Sequence, residues 1–289
     1  MYCRTLIEKV DANLVTYADD SYVIIVRDRI EEAREAVKNI SRDHVEELTR
    51  LGMVVNLDKT EVVVFSRKTQ IPTEFNVNGQ TVFSKQGMKI LGIFFDSHLS
   101  WRDHVQDVLH RVRNKISVLK HIRRFFDTKQ FISITTNQIF GLLYYAAPVW
   151  MVPTLDQTLW KQINSIHFRA LRLAFCDFKC RVPRWKLTKE LKRATPLEWS
   201  RYAVASSVLK INRNKMPVNL YNLIQDNLYF ERRYPSLAKF FDSSKSKIGK
   251  QSLDCRLVFM NSLPAWYHCG FSDDKIRRFL KINYFSSLN

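Results

Sequence analysis

The chain has 289 residues, a formal net charge of +18 and a 46% hydrophobic content with 12% aromatic residues. That composition excludes a disordered polypeptide and is enough for a large core, in one large domain or two modest ones. Five cysteines, an odd number in a long chain, argue against a disulfide framework and for a reducing compartment.

The charge is unevenly placed. Residues 1–99 hold 13 Lys/Arg against 15 Asp/Glu, whereas residues 100–289 hold 33 against 13. A basic excess confined to one part points to a polyanionic partner, nucleic acid above all.

The first element in chain order is LVTYADDSYVIIV, residues 14–26. Val, Ile, Thr and Tyr favour strands, and the polar interruption reads as a tight turn, so a β-hairpin is expected with Asp19 and Asp20 at its tip. Adjacent carboxylates repel, and a hard divalent cation such as Mg²⁺ relieves that repulsion. Asp is also an ordinary turn residue, so solvated turn chemistry stands beside the metal reading.

Apolar residues at Ile30, Ala33, Val37, Ile40, Val45, Leu48 and Leu51 have helical spacing over residues 27–51, and Gly52 is placed to stop that helix. Residues 53–56 and 61–65 read as strands around Asn56-Leu57-Asp58-Lys59-Thr60. Residues 89–96 read as a further strand with Gly92 at a bulge or close approach. An α+β unit with an antiparallel sheet follows.

Beyond residue 99 the pattern turns helical. Ser100 followed by Asp103 is placed as a capping box. Trp101, Val105, Val108, Leu109, Val112, Ile116 and Leu119 then form one apolar stripe. Arg102, Arg111, Arg113, Lys115, Lys120, Arg123 and Arg124 load the other positions, as on a solvated or phosphate-facing surface. Further helices are expected over 129–145, 155–176, 184–193 and 198–212, and a loop at Ser243-Ser244-Lys245-Ser246-Lys247. The uncharged run 130–155 is long enough to span a bilayer, yet its polar first half and Pro148 and Pro153 favour a buried helix and a turn. Cys176, Cys180, His268 and Cys269 lack the spacing of a zinc site, so buried free thiols are the expectation.

Tyr17-Ala18-Asp19-Asp20 resembles the Tyr-x-Asp-Asp motif of reverse transcriptases. The ordered series of that hairpin, the Asn56-to-Phe65 segment and Leu91-Gly92-Ile93 resembles the later palm motifs of non-LTR (LINE-like) retrotransposon enzymes. Tyr144-Tyr145-Ala146-Ala147-Pro148-Val149-Trp150 is similar to a thumb-region segment of that group. Gly249-Lys250-Gln251-Ser252-Leu253 and Asn261-Ser262-Leu263-Pro264 are similar to its closing motif.

The resemblance implies a partial antiparallel polymerase palm over 1–98, a helical thumb-like domain over 99–195 and a basic C-terminal region over 196–289. It implies an RNA-directed DNA polymerase with two Mg²⁺ ions, Asp19 as direct ligand and Asp20 beside it, and Lys59 at the leaving pyrophosphate. Tyr17, on the face of Asp19, would pack near the primer end, and Leu91 and Gly92 would position the primer backbone. Arg111, Arg113, Lys115, Lys120, Arg123 and Arg124 are the expected nucleic-acid contacts. The implied partners are an RNA template, a DNA primer or target and deoxynucleotides, with no membrane, in the nucleus or cytoplasm. A further metal-binding Asp is expected on an upstream strand, and Glu8 and Asp11 are poorly placed to supply it. The chain is therefore expected to be an N-terminally truncated fragment, inactive alone. The alternative is a non-catalytic nucleic-acid-binding protein using the basic half.

Overall fold

The structure is a computed structural model that describes residues 13–66, 72–152, 155–226, 228–231 and 234–240. Glu8, Asp11, Cys3, Cys255, His268, Cys269, the 243–247 loop and both closing segments (249–253 and 261–264) lie outside the described residues. The chain divides into two compact units, Met1–Leu99 and Ser100–Asn289. Both α-helices and antiparallel strand pairs are present, an α+β composition.

In the first unit, β1 (Asn13–Tyr17) and β2 (Asp20–Ile24) pair antiparallel. The expected helix forms as α1 (Ile30–Arg50), and Gly52 follows it at φ +79°. The three strands expected beyond it, 53–56, 61–65 and 89–96, give way to a different plan. Residues 53–56 and 61–65 are not paired strands: the Asn56 side chain accepts the Asp58 N–H at 3.1 Å and draws Leu57–Lys59 into a 3₁₀ turn. Of the second run, Val63 makes an isolated parallel bridge to Lys85.

The pairing partners lie later, in β3 (Glu74–Val77) with β4 (Gln80–Phe83) and β5 (Gly87–Ile90) with β6 (Ile93–Asp96). Asn78 (φ 47°) and Gly79 (φ +87°) turn the first pair; the expected single strand over 89–96 is split by Leu91 (φ 47°) and Gly92 (φ +86°). Two successive left-handed residues match the twist of a tight hairpin, so Gly92 serves a turn and not a bulge. The alternation of β3 buries Phe75 and Val77 while α1 packs on that strand and buries Ile40 and His44. The Asn78 N–H donates to Ser41 Oγ at 3.0 Å, pinning the turn to the helix.

The second unit begins with α2 (Arg102–Ile122). Its expected stripe is buried from Trp101 to Leu119. The Ser100–Asp103 box does not form; Trp101 sits at the N-cap in the left-handed region (φ 63°) without a side-chain cap bond. The stripe packs against α6 (Gln157–Phe175), whose N-terminus is capped by Asp156. Between them lie α3 (Thr128–Thr135), a π-helical stretch Thr136–Phe140, α4 (Gly141–Leu143) and α5 (Ala147–Trp150). Then come α7 (Arg184–Leu191), α8 (Pro196–Asn214), α9 (Val218–Asp226) and the β7 (Leu228–Glu231)–β8 (Tyr234–Phe240) hairpin. A Thr195–Glu198 capping box starts α8, with Pro196 in its first turn. Phe131, Ile139, Leu143, Trp150, Leu159, Ile163 and Leu171 are fully buried at the centre. Among the described residues, no helix is long and apolar enough to cross a membrane.

Candidate active site and basic surface

The first hairpin closes through a two-residue turn, Ala18-Asp19, with Tyr17 paired to Asp20. Ala18 takes φ 53°, a conformation that favours glycine, so the tip is held at some cost. Opposed residues of an antiparallel pair share a face. Tyr17 therefore shares its face with Asp20, together with Val15 and Tyr22, and not with Asp19 as expected; the turn interrupts the alternation before Asp19 is reached. Leu14 is buried on the other face, so the Tyr17–Asp20 face is the open one, with Tyr17 62% exposed. Asp19 and Asp20 are both exposed.

One side chain joins this tip to the second motif. The Tyr22 hydroxyl donates to Asp20 Oδ2 at 3.0 Å and is itself hydrogen-bonded by the backbone of Leu91. Loss of water around the ring, then the hydrogen bond and charge of Asp20, raise the Tyr22 pKa above 10.0, against the opposing pull of Leu91. The turn Leu91-Gly92 is thereby brought to Asp20. Sequence reading overlooked Tyr22, although its position two residues beyond Asp20 on an alternating strand signals a shared face.

Lys59 ends the 3₁₀ turn with an exposed side chain, and no hydrogen bond or ion pair joins it to either carboxylate. Among the described residues, no group of three or more His, Cys, Asp or Glu is placed to hold a metal. What the tip offers is two adjacent, solvent-facing carboxylates. That donor set fits one hydrated Mg²⁺, which keeps most of its waters and takes one or two carboxylates.

The basic helix sorts its cations. Arg113 and Lys120 are exposed and, with exposed Arg102, fall on one face at spacings of eleven and seven residues. Lys115 donates to Gln138 Oε1 at 3.3 Å, and Arg111 pairs with Asp107 at 3.0 Å. Arg124 is exposed, its guanidinium 4.8 Å from the centre of the Phe125 ring. Arg123 has to be removed from the expected contacts. It is 7% exposed and donates to the carbonyls of Phe126 (2.6 Å), Leu173 (3.1 Å) and Ala174 (2.8 Å) and to Thr128 Oγ1 (3.3 Å). Its charge neutralises the carbonyl end of α6 and is not available to a phosphate.

The remaining expectations fall differently. Tyr144, Ala147 and Trp150 of the 144–150 segment are buried, with Trp150 Nε1–H donating to the Tyr145 carbonyl at 2.8 Å. Cys176 and Cys180 are free thiols as expected but exposed, because both stand in the turn that follows α6. Comparison with known protein families, with curated proteins and with solved structures found no match.

Proposed function

We propose that the chain is the later palm and thumb-like part of a non-LTR reverse transcriptase, an RNA-directed DNA polymerase. What supports the reading most is the Tyr22 bridge. It joins the Asp19-Asp20 tip to Leu91-Gly92, the two segments that resemble successive palm motifs although about seventy residues separate them. The open β1–β2 pair, with Val15 and Ile24 about half exposed, further suits a palm portion that continues into more strands.

In this reading Asp19 and Asp20 would hold Mg²⁺, which when bound makes a primer 3′-hydroxyl acidic and stabilises charge on the leaving oxygen. Asp20 is kept in one orientation by the Tyr22 hydroxyl. Tyr17, on the same face, offers its ring to the primer end, and the Leu91-Gly92 turn offers backbone close to that point. Lys59, exposed at the end of its 3₁₀ turn, would neutralise the leaving pyrophosphate. The hydroxyl oxygen bonds to the α-phosphorus, the bond to pyrophosphate breaks, and the hydroxyl proton passes to water.

A second reading, a non-catalytic nucleic-acid-binding protein, is favoured by the exposed Arg102–Arg113–Lys120 face, which needs no metal. Deoxynucleotide incorporation on an RNA template with a DNA primer separates the two, assayed on the polypeptide at its native length in its source. Mg²⁺-dependent extension that Asp19→Asn abolishes while template binding persists supports the polymerase. Template binding without extension supports the second reading.

A further inference from the structure

The turn after α6 and the short helix that follows it carry a surface used by neither reading above. Phe178 is 59% and Trp185 66% exposed. Between and beyond them stand exposed cations, Lys179, Arg181, Arg184, Lys186, Lys189 and Lys192, against the one exposed carboxylate of Glu190 in the 176–193 stretch. The aliphatic residues of α7, Leu187 and Leu191, are buried, whereas Trp185 of the same helix is displayed.

The turn is also rigidly built. Asp177, itself buried, accepts the N–H groups of Arg181 (2.9 Å) and Val182 (3.0 Å) and pairs with Arg172 at 3.4 Å. The Arg184 guanidinium lies 4.9 Å from the centre of the Phe168 ring, which fixes the start of α7. On that helix the exposed Trp185 and Lys189 are four residues apart and so fall on one face, about 6 Å along the axis. An indole with an ammonium group one turn along the same face, on a support that does not have to order, matches an unpaired base and a neighbouring phosphate.

We propose that Phe178 and Trp185 form a stacking platform for single-stranded nucleic acid, with Lys189 on its phosphates. An anionic membrane is the poorer fit, because insertion needs a broad apolar face and the flanking Leu187 and Leu191 are buried. A duplex offers phosphates but no open base face, so the platform discriminates between strands and duplexes. The proposal is independent of Asp19, Asp20 and any metal.

The test is fluorescence anisotropy of the full chain with a labelled single-stranded RNA, and with the blunt duplex of the same strand, without divalent ions. Trp185→Ala is expected to weaken single-strand binding roughly 5- to 100-fold and to leave the duplex unaffected. Trp185→Phe retains most of the affinity. Circular dichroism of Trp185→Ala matches the parent, since the side chain is exposed. Equal losses on strand and duplex, no loss on either, or a Trp185→Ala defect confined to phosphatidylglycerol vesicles would overturn the proposal.

Discussion

Tyr22 and Leu91, sixty-nine residues apart, meet at one hydroxyl: Leu91 hydrogen-bonds the Tyr22 oxygen through its backbone while that hydroxyl donates to Asp20. The contact couples two hairpin tips that belong to separate two-stranded sheets. Because partial burial and then Asp20 raise the Tyr22 pKa above 10.0, Asp20→Asn is expected to lower it without returning it fully to the ordinary value. The folded value exceeds the unfolded one, so this group's contribution to stability is complete below pH 10 and is lost as pH rises through the folded pKa. The ¹³Cζ resonance of Tyr22 reports the titration, and Tyr22→Phe removes its part of the alkaline loss.

The second hairpin has its own weak point. A Cβ at Gly87 would lie 2.6 Å from Phe94 Cζ and 2.7 Å from the Phe95 carbonyl oxygen. Gly87→Ala is therefore expected to cost about 1–3 kcal/mol in urea unfolding, because a backbone atom cannot yield as a side chain can. Displacement of β5–β6 should also shift the Tyr22 resonance. Gly79→Ala, with open space around it but φ +87°, should cost about 1 kcal/mol and leave Tyr22 undisturbed.

Two neighbouring arginine positions should separate stability from binding. Arg123→Ala removes the four hydrogen bonds that the guanidinium donates to three carbonyls and a hydroxyl and is expected to destabilise by about 3 kcal/mol. Arg113→Ala, on the exposed face, should stay within about 0.5 kcal/mol. For RNA binding the order reverses. Arg113→Glu should weaken affinity and flatten its dependence on salt, whereas conditions that keep Arg123 variants folded should leave both unchanged.

Acid stability should report on His167. It is buried, with Nδ1 2.6 Å from the Tyr144 hydroxyl and Nε2 without a partner, and burial lowers its pKa from 6.5 to about 3. Its contribution is present above pH 6.5 and is lost as pH falls towards 3, by about 1.4 kcal/mol per unit for one proton. Replacing both partners by Phe (His167→Phe with Tyr144→Phe) removes the polar pair together. Urea midpoints from pH 7 to 4 should show a shallower acid loss than the parent, with stability at pH 7 changed by about 1 kcal/mol or less.

How much of this was legible in the sequence differs by element. The helix over 102–122 was, because Val105, Val108, Val112, Ile116 and Leu119 carry the 3.6-residue period over nearly four turns; the single helix expected over 129–145 is instead interrupted by a π-helical stretch, and α9 was overlooked. The Asp19-Asp20 hairpin was legible from β-branched flanks and a polar break. The Asn78-Gly79 hairpin was overlooked even though that dipeptide between Phe75, Val77 and Val82 is the strongest short hairpin signal there is. Residues 53–65 misled for the opposite reason: β-branched runs state a preference for extended backbone, but a strand also needs an available partner, and here one bridge to Lys85 is what forms. Arg123 was misread against its own spacing: it stands four residues after Leu119 and seven after Ile116, in phase with the buried stripe. The carbonyls that hold it were illegible, because they arrive with the α6 terminus fifty residues later. The same holds for Tyr22 and Leu91, whose meeting is a tertiary event.

The Asp19-Asp20 tip is proposed as the metal end of a nucleotidyl-transfer site. Mn²⁺, a paramagnetic substitute for Mg²⁺, tests it by selective broadening of backbone amide resonances. Broadening centred on Ala18–Ser21 and extending to Leu91 and Gly92, reversed by Mg²⁺ and abolished by Asp19→Asn with Asp20→Asn, is the predicted result. Broadening centred elsewhere, or undiminished in the double variant, would contradict it.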